Sequence, residues 1–169
     1  MRTRFLILAL VSGQTVLANE IQVDGKLDEA AWQGAVIYRD FYQVVPATLK
    51  QTQNKVEGRA FATVDGIYIG FKNWQKQGER KKQYNLQDAF MQADFNRFVI
   101  DFSGDGSGAY QFAVTLGGGV QDAVLTPQLT TDADWDGIWQ SAFYEHKDYW
   151  SSEVFIPWHS VSFKPNRTN

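Results

Sequence analysis

The most regular stretch of the chain spans residues 94–124, DFNRFVIDFSGDGSGAYQFAVTLGGGVQDAV. Within 109–116 the alternation is strict. Tyr110, Phe112, Val114 and Leu116 fall on one side, and Ala109, Gln111, Ala113 and Thr115 on the other. A sustained period of two predicts a half-buried β-strand. Phe98, Ile100 and Phe102 alternate in the same way just before it. Ser-Gly-Asp-Gly-Ser-Gly at 103–108 predicts a tight connection between the two runs, because its glycines supply positive φ angles. A second glycine turn leads into a third strand. This is the central meander of a β-sheet protein.

On its N-terminal side, Ile-Gln-Val-Asp-Gly at 21–25 predicts a short strand ending in a turn, and 28–32 one helical turn capped by Asp28. Residues 36–45 read as extended, stopped by Pro46, and 47–54 as a polar loop. Asp65-Gly66 between the β-rich runs 56–64 and 67–71 is a strong hairpin signal. Residues 73–92, with Glu79-Arg80-Lys81-Lys82 and several glutamines, break the alternation. They read as a long surface loop of the kind that carries binding, with disorder as the alternative. Beyond the meander, 126–137 reads as a Thr- and Asp-rich loop. Residues 138–145 and 149–156 form a second hairpin around His146-Lys147-Asp148, ended by Pro157, and 161–163 begins one more strand. About nine short strands with almost no helix predict an all-β fold, an antiparallel β-sandwich or jelly roll of the immunoglobulin-like two-sheet kind. With no internal repeat, residues 19–169 read as one domain.

Residues 1–18 read as a secretory signal peptide: Arg2 and Arg4 are the basic region, 5–11 the apolar region, and Val16-Leu17-Ala18 the cleavage site. The expected mature chain starts at Asn19 and is exported, with no transmembrane segment. Removing Arg2 and Arg4 from the 16 basic residues leaves 14 against 19 acidic ones, a mature net charge of −5. That argues against nucleic acid and anionic membrane surfaces as partners. There is no cysteine, so the core must hold an exported domain together without disulfides. The supply of 6 Trp, 7 Tyr and 12 Phe suffices for such a core and for ligand platforms besides.

Several motifs, in order, resemble one family. Val23-Asp24-Gly25-Lys26-Leu27-Asp28-Glu29-Ala30-Ala31-Trp32 is similar to the opening of family 9 carbohydrate-binding-module-like domains, D-G-x-h-D-E-x-x-W. Asp65-Gly66-Ile67-Tyr68-Ile69-Gly70-Phe71 resembles that family's D-x-L-Y-V-x-F hairpin, and 94–101 its D-x-V-x-V-x-L-D strand. Tyr110-Gln111-Phe112 with Gly119-Val120-Gln121-Asp122 resembles Y-x-F…G-x-x-x-D; Trp150, Glu153, Ile156 and Pro157 match W-x-x-E-x-x-I-P. The resemblance implies a β-sandwich, carbohydrate binding and often bound calcium. It also implies a place at the front of larger exported bacterial proteins, with a C-terminal catalytic or barrel domain. Family domains continue past I-P with more strands, so this chain resembles a truncated N-terminal domain. Sugar-binding members clamp the ligand between two tryptophans. At one of those positions this chain has Phe90-Met91-Gln92-Ala93, and the other lies beyond Asn169. Sugar binding is thus an expectation from the resemblance, not from matched residues.

Read residue by residue, Trp74 and Phe90 bracket the long loop, with Asp94 and Arg97 just after it. Aromatic faces stack on a pyranose, while a carboxylate and an Arg fork suit vicinal hydroxyls. The competing reading makes these residues core caps and a surface ion pair. Trp32, Trp139 and Trp150 are expected in the core; Trp135 is the other candidate platform. Asp101, Ser103 and Asp105 fit the first half of a calcium loop, but Phe112 stands where a bidentate Glu should close it. A plain hairpin turn explains the same residues and is favoured.

No catalytic set stands out. Glu145 and Glu153 are glycosidase candidates only as glutamates, and there is no metalloprotease, nucleophile-elbow or phosphate-loop motif. The leading reading is a non-catalytic, exported carbohydrate-binding sandwich. The alternatives are a structural or interaction domain without sugar affinity, and a haem-binding sandwich using Met91, His146 or a lysine.

Overall fold

A computed structural model of the chain describes residues 21–84, 92–128 and 130–162. The residues read as a signal peptide, together with Phe90, Met91 and Phe163, lie outside the described residues. The described part is an antiparallel β-sandwich. One sheet has the order β1-β2-β3-β9-β8, formed by Val36–Tyr38, Val56–Ala62, Gly66–Asn73, Trp150–Pro157 and Gln140–Glu145 respectively. The other has the order β4-β5-β6-β7, formed by Phe95–Ile100, Ala109–Thr115, Val120–Leu125 and Thr131–Asp132. The chain crosses between sheets after β3 and again after β7. Among the described residues no helix is long and apolar enough to cross a membrane.

The predicted meander is β4-β5-β6, with Phe98 opposite Phe112 and Phe112 opposite Asp122. Phe112, Val114 and Leu116 point into the interior and are buried, as the alternation requires. Ala113 and Thr115, on the other face of the strand, are equally buried. The 81–84 segment comes close at that end: Asp94 N–H donates to the Lys81 carbonyl at 2.8 Å, and a side chain at Gly117 would meet the Gln83 carbonyl oxygen at 2.6 Å. Between the sheets, Ile69, Val154 and Ile156 pack against Phe112 and Val114. Phe71 stacks on Phe98 at 6.0 Å, and Asn96 Nδ2 donates to Ser152 Oγ across the gap at 2.8 Å.

Four local expectations are corrected. Residues 21–25 form no strand, because their backbone polar groups bond to side chains: Asp24 and Gly25 N–H donate to Glu153, and Ser151 Oγ donates to the Gly25 carbonyl. Asp28 caps no helix. The turn there is a 3₁₀ segment, Ala30–Gly34, flanked by Glu29, whose side chain accepts from Gln22 N–H instead. Within 36–45 only Val36–Tyr38 joins the sheet, as an exposed edge strand. In the loop expected over 126–137, Thr131–Asp132 pairs with Val124 and Leu125 as a short strand. Of the tryptophans expected in the core, Trp150 and Trp32 are buried and Trp139 packs against the core cluster. Trp32 lies on the outside of the five-stranded sheet, edge-on to Phe61 at 4.7 Å.

Candidate functional site

Strand register orders the outer face of the five-stranded sheet into three rows. The first runs Phe61, Tyr68, Phe155, and its rings stack at 5.0 and 4.5 Å. The second runs Arg59, Gly70, Glu153, Ala142. The third runs Glu57, Lys72, Ser151, Tyr144. The N-terminal segment covers the first two rows. Gly70 makes the close approach feasible: a Cβ there would meet Leu27 Cδ2 at 2.5 Å and Trp32 Cη2 at 3.0 Å. Glu153 anchors the cover from below through Asp24 N–H at 3.0 Å and Gly25 N–H at 3.1 Å. Burial pushes its carboxyl up to about 7, against the lowering effect of the Gly25 hydrogen bond.

The third row is partly covered: Glu57 and Ser151 are buried, with Ser151 Oγ bonded to the Gly25 carbonyl of the cover, while Lys72 and Tyr144 are half-buried. Beside the edge of the cover lies a cleft of about 210 Å³. Its floor carries Ser151 and Lys72, one wall Lys26, Leu27 and Asp28, and the other Tyr144 and Tyr149, with Arg59 at the end. The two tyrosine rings are 6.4 Å apart. Lys72 Nζ lies 3.9 Å over the Tyr149 ring and 5.2 Å over that of Trp74. Lys26 Nζ lies 5.3 Å over Tyr144 and pairs with Asp24 at 2.8 Å. That hydrogen bond lowers the Asp24 carboxyl and raises the Lys26 ammonium from their ordinary values. Arg59 and Arg39 both pair with Glu57, at 2.6 and 2.9 Å. Burial pushes the Glu57 carboxyl up, and the two guanidiniums more than reverse this, leaving it lowered. Tyr149 is fixed by stacking on His146 at 4.7 Å. The hairpin turn that carries both is held by Arg80, which donates to the Gln75 and His146 carbonyls and pairs with Glu145.

The residues singled out from the sequence do not converge. Trp74 follows β3, backs Lys72, and carries Lys55 Nζ at 4.1 Å. Asp94 accepts from Lys81 N–H at 2.9 Å, and Arg97 lies on the four-stranded sheet over Phe95, bonded to Gln121 at 3.3 Å. Trp135 packs on Tyr110 at 4.9 Å, against the core. Phe90 is outside the described residues. Asp101 closes its own turn, accepting N–H groups from Gly106, Gly104 and Ser103, which hold its carboxyl below the usual range. Asp105 accepts from Ser107 N–H at 2.9 Å. Among the described residues no group of three or more His, Asp or Glu side chains is placed to hold a metal. Glu145 and Glu153 project from opposite faces of the sheet, since Ala142 faces Glu153 and Phe143 and Glu145 alternate with it. They cannot flank one glycosidic bond. Lys26, Arg59, Lys72, Tyr144 and Tyr149 were missed. Their signal is the register that pairs the two hairpins, which sets Lys72 and Tyr144 on either side of Ser151.

No protein-family model matches the chain, and no curated protein matches it. Among solved structures, the fold is similar to that of a family 9 carbohydrate-binding module from Caldicellulosiruptor kristjanssonii in complex with cellotriose. The TM-score is 0.56 at 15% identity, over 86% of this chain and 66% of that one. The chain thus spans just under two thirds of that structure's length.

Proposed function

We propose that this chain is a non-catalytic carbohydrate-binding domain whose sugar site is the cleft between the N-terminal cover and the Tyr144–Tyr149 wall. The observation that carries this reading is the convergence of two tyrosine rings with Lys72, Arg59 and Asp28 on one cleft. Aromatic rings take the C–H face of a pyranose, ammonium and guanidinium groups donate to hydroxyl oxygens, and Asp28 accepts from a hydroxyl. The likeness in fold to a sugar-binding module supports it. The pattern of residues 1–18 supports export, and the motif resemblance supports a role as the N-terminal module of a larger polysaccharide-processing or outer-membrane protein. Titration calorimetry against a panel of soluble oligosaccharides tests the function: at least one should bind, and Tyr144→Ala should weaken it roughly tenfold or more. Mass spectrometry of exported protein, expected to begin at Asn19, tests the address.

One observation favours a second reading, an interaction domain. Val36 and Tyr38, on the edge strand β1, and Val44, Val45 and Leu49, in the loop that follows it, are 57–86% exposed. Absence of binding to every saccharide would favour it.

A further inference from the structure

We infer that the saccharide selected by this cleft is acidic, a hexuronate whose carboxylate sits against Lys72 and Arg59. The inference rests on the saccharide-binding reading and adds a ligand class to it. The cleft is positive within a chain whose formal net charge is −3. Lys26, Arg59 and Lys72 line it, against Asp28 alone. Asp24, just behind the lining, offsets Lys26, so the excess rests on Lys72 and on the part of Arg59 that Glu57 leaves. Glu57 is shared between Arg59 and Arg39, so one carboxylate serves two guanidiniums. Arg59 spends Nε and Nη2 on Glu57, and a guanidinium carries five N–H donors, so donors remain for a ligand.

Lys72 is the centre of the argument. Among the described residues no carboxylate pairs with it. Its ammonium is instead positioned by the Tyr149 and Trp74 rings, 3.9 and 5.2 Å away. An aromatic face orients a cation without neutralising it. Lys26 and Lys82, by contrast, each carry a carboxylate partner. An ammonium positioned by two rings, whose cross-strand neighbour Glu57 is taken by Arg39 and Arg59, suits a sugar ring bearing one carboxylate. A neutral sugar would leave that charge unanswered.

The test is calorimetry on the full chain with an oligogalacturonide and with the same oligosaccharide after its carboxyl groups are reduced to alcohols. The acidic form should bind at least tenfold tighter, and the advantage should shrink as salt rises from 50 to 500 mM. Lys72→Met keeps the apolar stem and should bring the affinity for the acidic form down to that for the reduced form, whereas Lys72→Arg should retain the preference. Equal binding of the two forms overturns the acidic inference and leaves the carbohydrate reading standing. Binding of neither, nor of any neutral oligosaccharide, overturns both. A preference that survives in Lys72→Met overturns the assignment of the carboxylate to Lys72.

Discussion

Glu153 and Gly25 lie 128 positions apart in the chain, yet Gly25 N–H donates to Glu153 Oε2 at 3.1 Å, and the neighbouring Asp24 N–H reaches the same oxygen at 3.0 Å. This carboxyl oxygen, with Ser151 Oγ bonded to the Gly25 carbonyl, fastens the N-terminal cover to the five-stranded sheet. Its partner oxygen, Oε1, is buried without a hydrogen bond, as is Trp32 Nε1 beneath the same cover. The anchor is therefore strong at one atom and costly at the next.

Replacing Glu153 by Ala should leave two N–H groups without an acceptor and free the cover. The expected loss is about 2–4 kcal/mol of unfolding free energy, read by urea melts. Release of the cover should also expose Trp32, shifting tryptophan emission to the red. A loss under about 0.5 kcal/mol would mean the cover is held by the Ser151–Gly25 hydrogen bond and by Leu27 and Trp32 packing.

The pH dependence follows from the same side chain. Its carboxyl titrates near 7 in the folded protein, against an ordinary value of 4.5. The folded state therefore binds the extra proton, and the resulting stability is full below about 4.5 and lost as pH rises through 7. The expected decline is about 3 kcal/mol. Asp24, Glu57 and Asp101 have lowered values and act in the opposite sense, losing their contribution as pH falls below their ordinary 3.8 to 4.5. Stability should peak near pH 5, and Glu153→Gln should flatten the upper limb. A profile that rises from pH 5 to 8 in the parent chain would sink the assignment.

The meander and both hairpins were legible because alternation and Asp-Gly turns are local signals. Phe112 faces the core as its period demands. The anchoring of 21–25 was not legible, since Val23 and its neighbours look like a strand until Glu153 supplies their acceptor from the far end of the chain. The cleft was hidden for the same reason. Lys72 and Tyr144 meet only through Ser151 on the strand between them, and register across three strands is a tertiary fact. Trp74 was singled out because it closes a strand, and Asp94 and Arg97 were grouped with it by nearness in sequence alone.

The turn at 101–108 gives a test on calcium. Asp101 already accepts three backbone N–H groups, which close the turn without a cation. Calcium and EDTA should each leave the melting temperature unchanged within about a degree, whereas Asp101→Ala should lower it by freeing the turn. A calcium-dependent rise that Asp105→Asn abolishes would establish the ion instead.

Trp74 separates a binding role from a packing role. Its indole carries Lys55 and Lys72, not the interior cluster, whereas Trp150 is buried and donates Nε1 to Gln75 at 3.0 Å. Trp74→Ala should therefore cost little stability, under about 1 kcal/mol, while Trp150→Ala should cost about 3–5 kcal/mol. Removing the ring lets the Lys72 ammonium swing away from the cleft. Saccharide affinity should then fall by roughly 1–2 kcal/mol, and the tryptophan fluorescence change on ligand addition should shrink. If stability collapses and affinity stays, Trp74 is packing and Tyr149 alone holds Lys72. In that case the double substitution Trp74→Ala with Tyr149→Ala should show the loss of affinity that the single one lacks.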